Sequence, residues 1–83
     1  MKQLIYFTAG WCPSCQNMKT TINQLKNQKN IQIAEIDVDY DANWTEKYNV
    51  KSVPTMVLLE NGEEVRRSVG YQDLNQTNNF ING

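Results

Sequence analysis

The chain has 83 residues, enough for one domain with a small hydrophobic core. Its 8 Lys and Arg residues nearly balance its 9 Asp and Glu residues, so the charge indicates neither a nucleic-acid partner nor a membrane surface. No apolar run approaches the ~20 residues of a membrane span, and the chain starts in a strand pattern rather than a signal peptide. We therefore expect a cytoplasmic monomer with a single domain over residues 1–83.

The first third of the chain predicts a strand followed by a helix. Residues 4–7 are apolar and aromatic and lead into a Thr-Ala-Gly loop, which is typical of a short buried strand. Pro13 suits the first turn of a helix. Apolar side chains then recur at spacings of four and three, which predicts an amphipathic helix; they are Met18, Ile22 and Leu25.

The next segments predict a second strand and a short helix. Residues 27–30 predict the end of the first helix, and residues 31–38 carry apolar side chains on both faces, which indicates a central strand. Because strand, helix and strand follow in under 40 residues, we expect the two strands to be parallel. A short helix capped by Asp41 follows, with Trp44 and Tyr48 on one face as core residues.

The last third of the chain predicts a hairpin and a final helix. Residues 55–59 read as a strong strand, Asn-Gly at residues 61–62 is a two-residue turn, and residues 63–69 return as the antiparallel partner. Residues 72–82 show a weak helical pattern. The order is βαβ-α-ββα, so we predict an α/β fold with a mixed four-stranded sheet flanked by helices.

Two cysteines, Cys12 and Cys15, form a C-x-x-C motif at the junction of the first strand and helix, a signature of redox chemistry. Closing so small a ring would stabilise the fold by only about 2 kcal/mol, so stability is a poor reason for the pair. At the helix N-terminus, unpaired N–H groups and the helix dipole favour a thiolate and lower the pKa of Cys12. Cys12 is therefore the expected nucleophile, and Cys15, one turn later, the thiol that resolves its mixed disulfide.

Two other interpretations of the pair remain. A zinc site would need two more ligands, yet the chain has no further Cys and no His, so we expect no metal. Two structural cysteines buried in the core are the second alternative, since free Cys is often a small core residue.

The motifs resemble those of the thioredoxin family over nearly the whole chain. Trp-Cys-Pro-Ser-Cys at residues 11–15, Val-Pro-Thr at residues 53–55, Asn-Gly at residues 61–62 and Gly70 stand in the family's order and spacing. The chain looks like a minimal thioredoxin without the family's first strand and helix, similar to glutaredoxins and to small bacterial or phage thioredoxins. The resemblance implies a thioredoxin-like fold.

The resemblance also implies a substrate site. It places a cis Pro54 beside the two sulfurs, with Val53 offering backbone groups to an extended substrate strand. Trp11 and Gly70 would flank the exposed sulfur.

The activity that this resemblance implies is reduction of protein disulfides, with the redox-active Cys12-Cys15 disulfide and no bound cofactor. Reducing equivalents would come from NADPH through a flavoprotein thioredoxin reductase. Disulfide-containing proteins would be the partners, with ribonucleotide reductase as one client.

Two departures from the family concern proton transfer. Tyr6 stands where thioredoxins usually carry a buried Asp, and Glu35 stands at a frequent Lys position. We therefore hypothesise that Glu35 is the proton acceptor for Cys15, since it lies on the strand face directed toward that residue.

A third departure bears on the substrate. Pro-Ser separates the cysteines at residues 13–14, where thioredoxins commonly have Gly-Pro and glutaredoxins Pro-Tyr. Trp11 follows the thioredoxin pattern, and Ala9 replaces a cation that is usual in glutaredoxins, so we favour thioredoxin-like substrates. The alternatives are a glutathione-dependent, glutaredoxin-like enzyme and a non-catalytic module that binds a partner with this surface.

Overall fold

The computed structural model describes residues 2–28 and 31–83. In chain order the elements are β1 (Lys2–Thr8), α1 (Pro13–Lys26), β2 (Ile31–Asp37), α2 (Ala42–Lys47), β3 (Thr55–Glu60), β4 (Glu63–Val69) and α3 (Leu74–Asn82). The predicted order of strands and helices is therefore confirmed. Helix α1 ends at Lys26 with Asn27 as its C-cap, and of the predicted stop at residues 27–30, residues 29–30 lie outside the described part.

The four strands form one mixed sheet in the order β2-β1-β3-β4. Strand β1 pairs with β2 in parallel and with β3 antiparallel, and β3 pairs antiparallel with β4. The predicted turn joins the last two strands: Asn61 and Gly62 both have positive φ, 54° and 87°, as a tight two-residue hairpin requires.

The prediction that residues 31–38 form a central strand is wrong, because β2 lies at the edge of the sheet. Its apolar residues are nevertheless covered on both faces: Ile31 packs under α1, and Ile36 packs on the opposite side with Phe7. Apolar side chains on both faces of a strand indicate that other elements pack above and below it. They do not indicate whether another strand is hydrogen-bonded to each of its two edges.

The core has two parts, one on each face of the sheet. Side chains from β1, α1, β3 and α3 fill one face, including Leu4, Met18 and Ile81. The other face holds Phe7 and its neighbours under the short α2 segment, where Tyr48 packs. The sheet thus holds α1, which contains Cys15 and is capped by Cys12, by a continuous buried surface.

Helix α2 begins at the predicted place but by a different contact. Asp41 is its N-cap residue, yet the Asp41 side chain makes no cap hydrogen bond; its backbone carbonyl accepts from the Thr45 N–H and hydroxyl, at 3.2 and 3.0 Å. Trp44 and Tyr48 lie on one face as predicted, with their rings stacked 6.0 Å apart. Tyr48 packs against the core, but the prediction that Trp44 is a core residue is wrong, because its side chain stays 38% exposed. Within residues 2–28 and 31–83, no helix is both long enough and apolar enough to cross a membrane.

Candidate active site

The two cysteines lie at the junction between β1 and α1. Strand β1 ends at Thr8, and Cys12 is the N-cap residue of α1, with extended backbone and Pro13 in the first turn. The N–H of Cys15 donates to the Cys12 sulfur at 3.1 Å. Cys12 and Cys15 are joined as a disulfide, and their Cα atoms are 5.2 Å apart. The sulfur of Cys12 thus occupies the position that an N-cap oxygen takes in other helices.

The two cysteines are much less exposed than the tryptophan beside them. Cys15 is fully buried and Cys12 is 5% exposed, and both pack with Ala9 beneath the surface. Trp11, the residue before Cys12, is 67% exposed. A partner that approaches Cys12 would therefore meet a large aromatic side chain at the rim of the site.

The predicted substrate residues converge on Cys12. The Val53–Pro54 bond is cis, as the resemblance implies, and the Val53 carbonyl oxygen lies 3.8 Å from the Cys12 sulfur. Gly70 lies beside them, since its N–H donates to the Pro54 carbonyl at 2.8 Å. Gly70 has a φ of 103°, which other residues rarely adopt. The chain segments at residues 11–15, 53–54 and 70 therefore lie side by side.

Sequence reasoning missed the partner of Trp11. The Trp11 indole N–H donates to the Asp39 carboxylate at 2.9 Å, from the turn after β2. Beside it, a groove of about 250 Å³ opens between Trp11 and Val53, with Val50 and Lys51 in its wall. The acidic residues of the turn after β2 could have suggested a partner for the indole N–H, but only the fold brings residues 11 and 39 together.

A second contact missed by sequence reasoning lies under Cys15. The Tyr6 hydroxyl donates to the Cys15 carbonyl at 2.8 Å, and Tyr6 is fully buried. Burial raises the pKa of Tyr6 above its ordinary value. The hydroxyl therefore stays protonated and remains a donor at neutral pH. A buried Tyr on a strand needs a hydrogen-bond partner, which is the signal that could have pointed to this contact.

Glu35, the hypothesised proton acceptor, lies on the neighbouring strand opposite Tyr6. Its carboxylate forms an ion pair with the Lys26 ammonium at 3.0 Å, and its side chain is 33% exposed. The structure thus places Tyr6, rather than Glu35, in hydrogen-bond contact with the Cys15 backbone. In the described part of the chain, no three His, Cys, Asp or Glu side chains are grouped to hold a metal ion.

Comparison with known proteins identifies similarity over almost all of this architecture. The family model described as Thioredoxin matches residues 1–83. A thioredoxin of Chlamydia trachomatis is 37% identical over 71 residues, covering 84% of this chain and 70% of that protein. A thioredoxin of Bacillus subtilis is 32% identical over 78 residues, covering 92% of this chain and 75% of that protein.

Solved structures show the same similarity in three dimensions. A mutant thioredoxin from Halobacterium salinarum superposes with a TM-score of 0.91 at 36% identity, covering 96% of this chain and 71% of that chain. Thioredoxin of Fasciola hepatica gives a TM-score of 0.90 at 29% identity, covering 98% of this chain and 78% of that chain. The thioredoxin-like fold predicted from the sequence is confirmed.

Proposed function

Because the chain belongs to the thioredoxin family, it is a thiol-disulfide oxidoreductase, and we propose that Cys12 is its nucleophile and Cys15 its resolving thiol. The observation that carries the proposal is the disulfide at the start of α1, with one sulfur as helix cap and the other fully buried. An N-cap sulfur accepts a backbone N–H and sits at the positive end of the helix dipole, so its thiolate is favoured.

The reaction proceeds in two exchanges. The Cys12 thiolate attacks one sulfur of the substrate disulfide; that bond breaks, and its electron pair leaves on the other substrate sulfur, which takes up a proton. Cys15 then loses its proton and attacks the Cys12 sulfur of the mixed disulfide. The bond between Cys12 and the substrate breaks, and that substrate sulfur leaves with the electron pair and takes up a proton. Two electrons have then reached the substrate, and the Cys12-Cys15 disulfide remains.

The substrate binds as an extended strand across the surface beside Cys12. Val53 supplies backbone groups to this strand and Pro54 fixes their position next to the sulfur, while Trp11 and Gly70 border the site. Three contacts support this arrangement: the Val53 carbonyl near Cys12, the Gly70 N–H on Pro54, and the Trp11 indole on Asp39. Backbone pairing selects no side chain, which suits an enzyme acting on many disulfide-containing proteins.

Glu35 is the proton acceptor for Cys15 in this proposal. Its position opposite Tyr6 in the parallel β1/β2 pairing supports the assignment, because it puts Glu35 on the face of the sheet that α1 covers. The Glu35→Gln variant should alter the pH dependence of the second exchange, and Glu46→Gln on α2 serves as the control. An unchanged profile in Glu35→Gln would remove Glu35 from the mechanism.

The physiological cycle we propose is that of a cytoplasmic, monomeric, single-domain reductant of protein disulfides. A flavoprotein reductase returns electrons from NADPH to the Cys12-Cys15 disulfide, and ribonucleotide reductase is one candidate client. The alternative is re-reduction by glutathione. Trp11 before Cys12 and Ala9 at the position of the usual glutaredoxin cation favour the first route.

Two assays test this assignment. NADPH with a thioredoxin reductase should regenerate the dithiol faster than glutathione does, and the reduction potential of the couple should lie near about −270 mV. Faster regeneration by glutathione, with a potential of about −200 mV or above, would assign the protein to the glutaredoxin-like alternative. The Cys15→Ser variant should accumulate the Cys12–substrate mixed disulfide, identified by its mass; its absence would contradict the roles of both cysteines.

A further inference from the structure

The resolving residue Cys15 is held at both of its backbone polar groups. Its N–H donates to the Cys12 sulfur at 3.1 Å, and its carbonyl accepts the Tyr6 hydroxyl at 2.8 Å. A carbonyl oxygen has two lone pairs, so the Tyr6 bond is compatible with the ordinary helical bond that the same oxygen accepts four residues later. Cys15 is thereby connected to its partner sulfur on one side and to the central strand β1 on the other.

The Tyr6 contact connects two buried parts of the molecule. Tyr6 is fully buried in β1 between β2 and β3, where it pairs with Glu35 and Met56. Cys15 is fully buried in the first turn of α1. A hydrogen bond at this depth is sheltered from competing water, and it ties the first turn of the helix to the middle of the sheet.

We propose that Tyr6 is a positioning residue for the second thiol exchange, holding Cys15 at the distance and angle from which it attacks the Cys12 mixed disulfide. The inference rests on the proposed roles of the two cysteines. Attack on a disulfide sulfur needs close approach in a defined direction, and small displacements of a reacting group reduce its rate strongly. In the first exchange the attacking sulfur is that of Cys12, and Cys15 contributes only its N–H, so this step should depend much less on the Tyr6 hydroxyl.

The contact is available throughout the pH range of thiol chemistry. Burial raises the pKa of Tyr6, so the hydroxyl remains a donor while cysteine thiols titrate. Tyr6 itself exchanges no proton or electron in this scheme. Its effect reaches the reaction only through the position of Cys15.

The test separates the two exchanges in time. Reduced protein is mixed in a stopped-flow instrument with a nitro-aromatic disulfide whose thiolate is coloured. Attack by Cys12 releases the first thiolate at a rate proportional to reagent concentration. Attack by Cys15 on the resulting mixed disulfide releases the second at a rate independent of concentration, leaving the Cys12-Cys15 disulfide.

The variant Tyr6→Phe removes only the hydroxyl, and Tyr48→Phe is the matched control, since Tyr48 packs on the opposite face of the sheet against Trp44 and Phe7. We expect Tyr6→Phe to slow the second release about fivefold and to change the first by less than about twofold, which is the loss of one modest hydrogen bond in the second step. Tyr48→Phe should change neither release.

A further substitution distinguishes positioning from a purely structural effect. Incorporating 4-aminophenylalanine at position 6 restores a donor in the para position, and it should recover most of the second rate. If Tyr6→Phe leaves the second rate unchanged, or slows both releases equally, the positioning role is wrong. Failure of the cysteine assignments looks different, because the wild-type protein would then release one thiolate only, or Cys12→Ser would release a thiolate as fast as the wild type does.

Discussion

Helices α1 and α3 begin with the same hydrogen-bond pattern but in different surroundings. At α1 the Cys12 sulfur accepts the N–H of Cys15 at 3.1 Å, and at α3 the Asp73 carboxylate accepts the N–H of Gln76 at 2.8 Å. Helix α3 adds the reciprocal bond from the Asp73 N–H to the Gln76 side chain, at 2.9 Å. In both helices an acceptor three residues upstream satisfies an N–H that has no partner within the helix.

The difference lies in burial and in the second residue of each pair. Asp73 is exposed and its partner Gln76 only closes the cap, so the α3 cap stabilises the helix and has no reactive neighbour. Cys12 is 5% exposed, and its partner carries a second sulfur that is fully buried. The exposed Asp73 carboxylate therefore only stabilises the helix that it caps. The Cys12 sulfur caps its helix in the same way, but it lies beside a second thiol and can also react.

Replacing the sulfur cap by an oxygen cap gives the largest effect. In Cys12→Ser, Ser can still accept the Cys15 N–H, so the helix keeps its cap but the proposed nucleophile is lost. We expect protein-disulfide reduction to fall to the uncatalysed background. The free energy of unfolding, compared with the reduced wild-type protein, should change by less than about 1 kcal/mol. Substantial residual turnover would contradict the assignment of Cys12. The Cys12→Ala variant removes the cap as well, so its free energy of unfolding shows how much the cap stabilises the protein.

Removing the cap of α3 should affect stability alone. In Asp73→Ala the Gln76 N–H loses its acceptor, and we expect the free energy of unfolding to fall by about 1 kcal/mol. Disulfide reduction should stay within about twofold of the wild type, because no reactive group depends on α3. Denaturant unfolding and a turnover assay measure the two quantities. A larger loss of turnover would show that the two helix starts are not independent.

Moving a thiol to the start of α3 isolates the contribution of the helix. The variant Asp73→Cys, in a background with Cys12→Ser and Cys15→Ser, places a single cysteine at an exposed N-cap. The pH at which its rate of alkylation is half-maximal should lie about 0.2–0.7 units below the corresponding pH of an ordinary cysteine. This shift corresponds to stabilisation of the thiolate by the helix dipole by about 0.3–1 kcal/mol. A cysteine in the last turn, Asn79→Cys in the same background, is the control and should show no such decrease. Equal midpoints would mean that the helix start contributes nothing.

Local patterns predicted most of the fold. The C-x-x-C before an amphipathic helix located the start of α1, and Asn61-Gly62 identified the hairpin, since each signal acts over a few residues. The position of β2 at the edge of the sheet could not be predicted, because burial of the two faces of a strand does not show whether another strand pairs with each of its edges.

Parts of the site were equally beyond local reasoning. The cysteines were predicted from their spacing, and the roles of Val53, Pro54 and Gly70 from a resemblance. The bonds from Tyr6 to Cys15 and from Trp11 to Asp39 join residues 9 and 28 positions apart. Both depend on the pairing and turns of the finished sheet, which no short pattern encodes.

The central claim is that the start of α1 makes Cys12 a reactive thiolate while Cys15 lies buried behind it. The most direct test treats the fully reduced protein with limiting iodoacetamide over a range of pH and identifies the alkylated residue by peptide mass. We predict alkylation of Cys12 far ahead of Cys15, with a midpoint clearly below the value of about 8.5 for a free cysteine. Comparable alkylation of both cysteines, or a midpoint at about 8.5, would contradict the account.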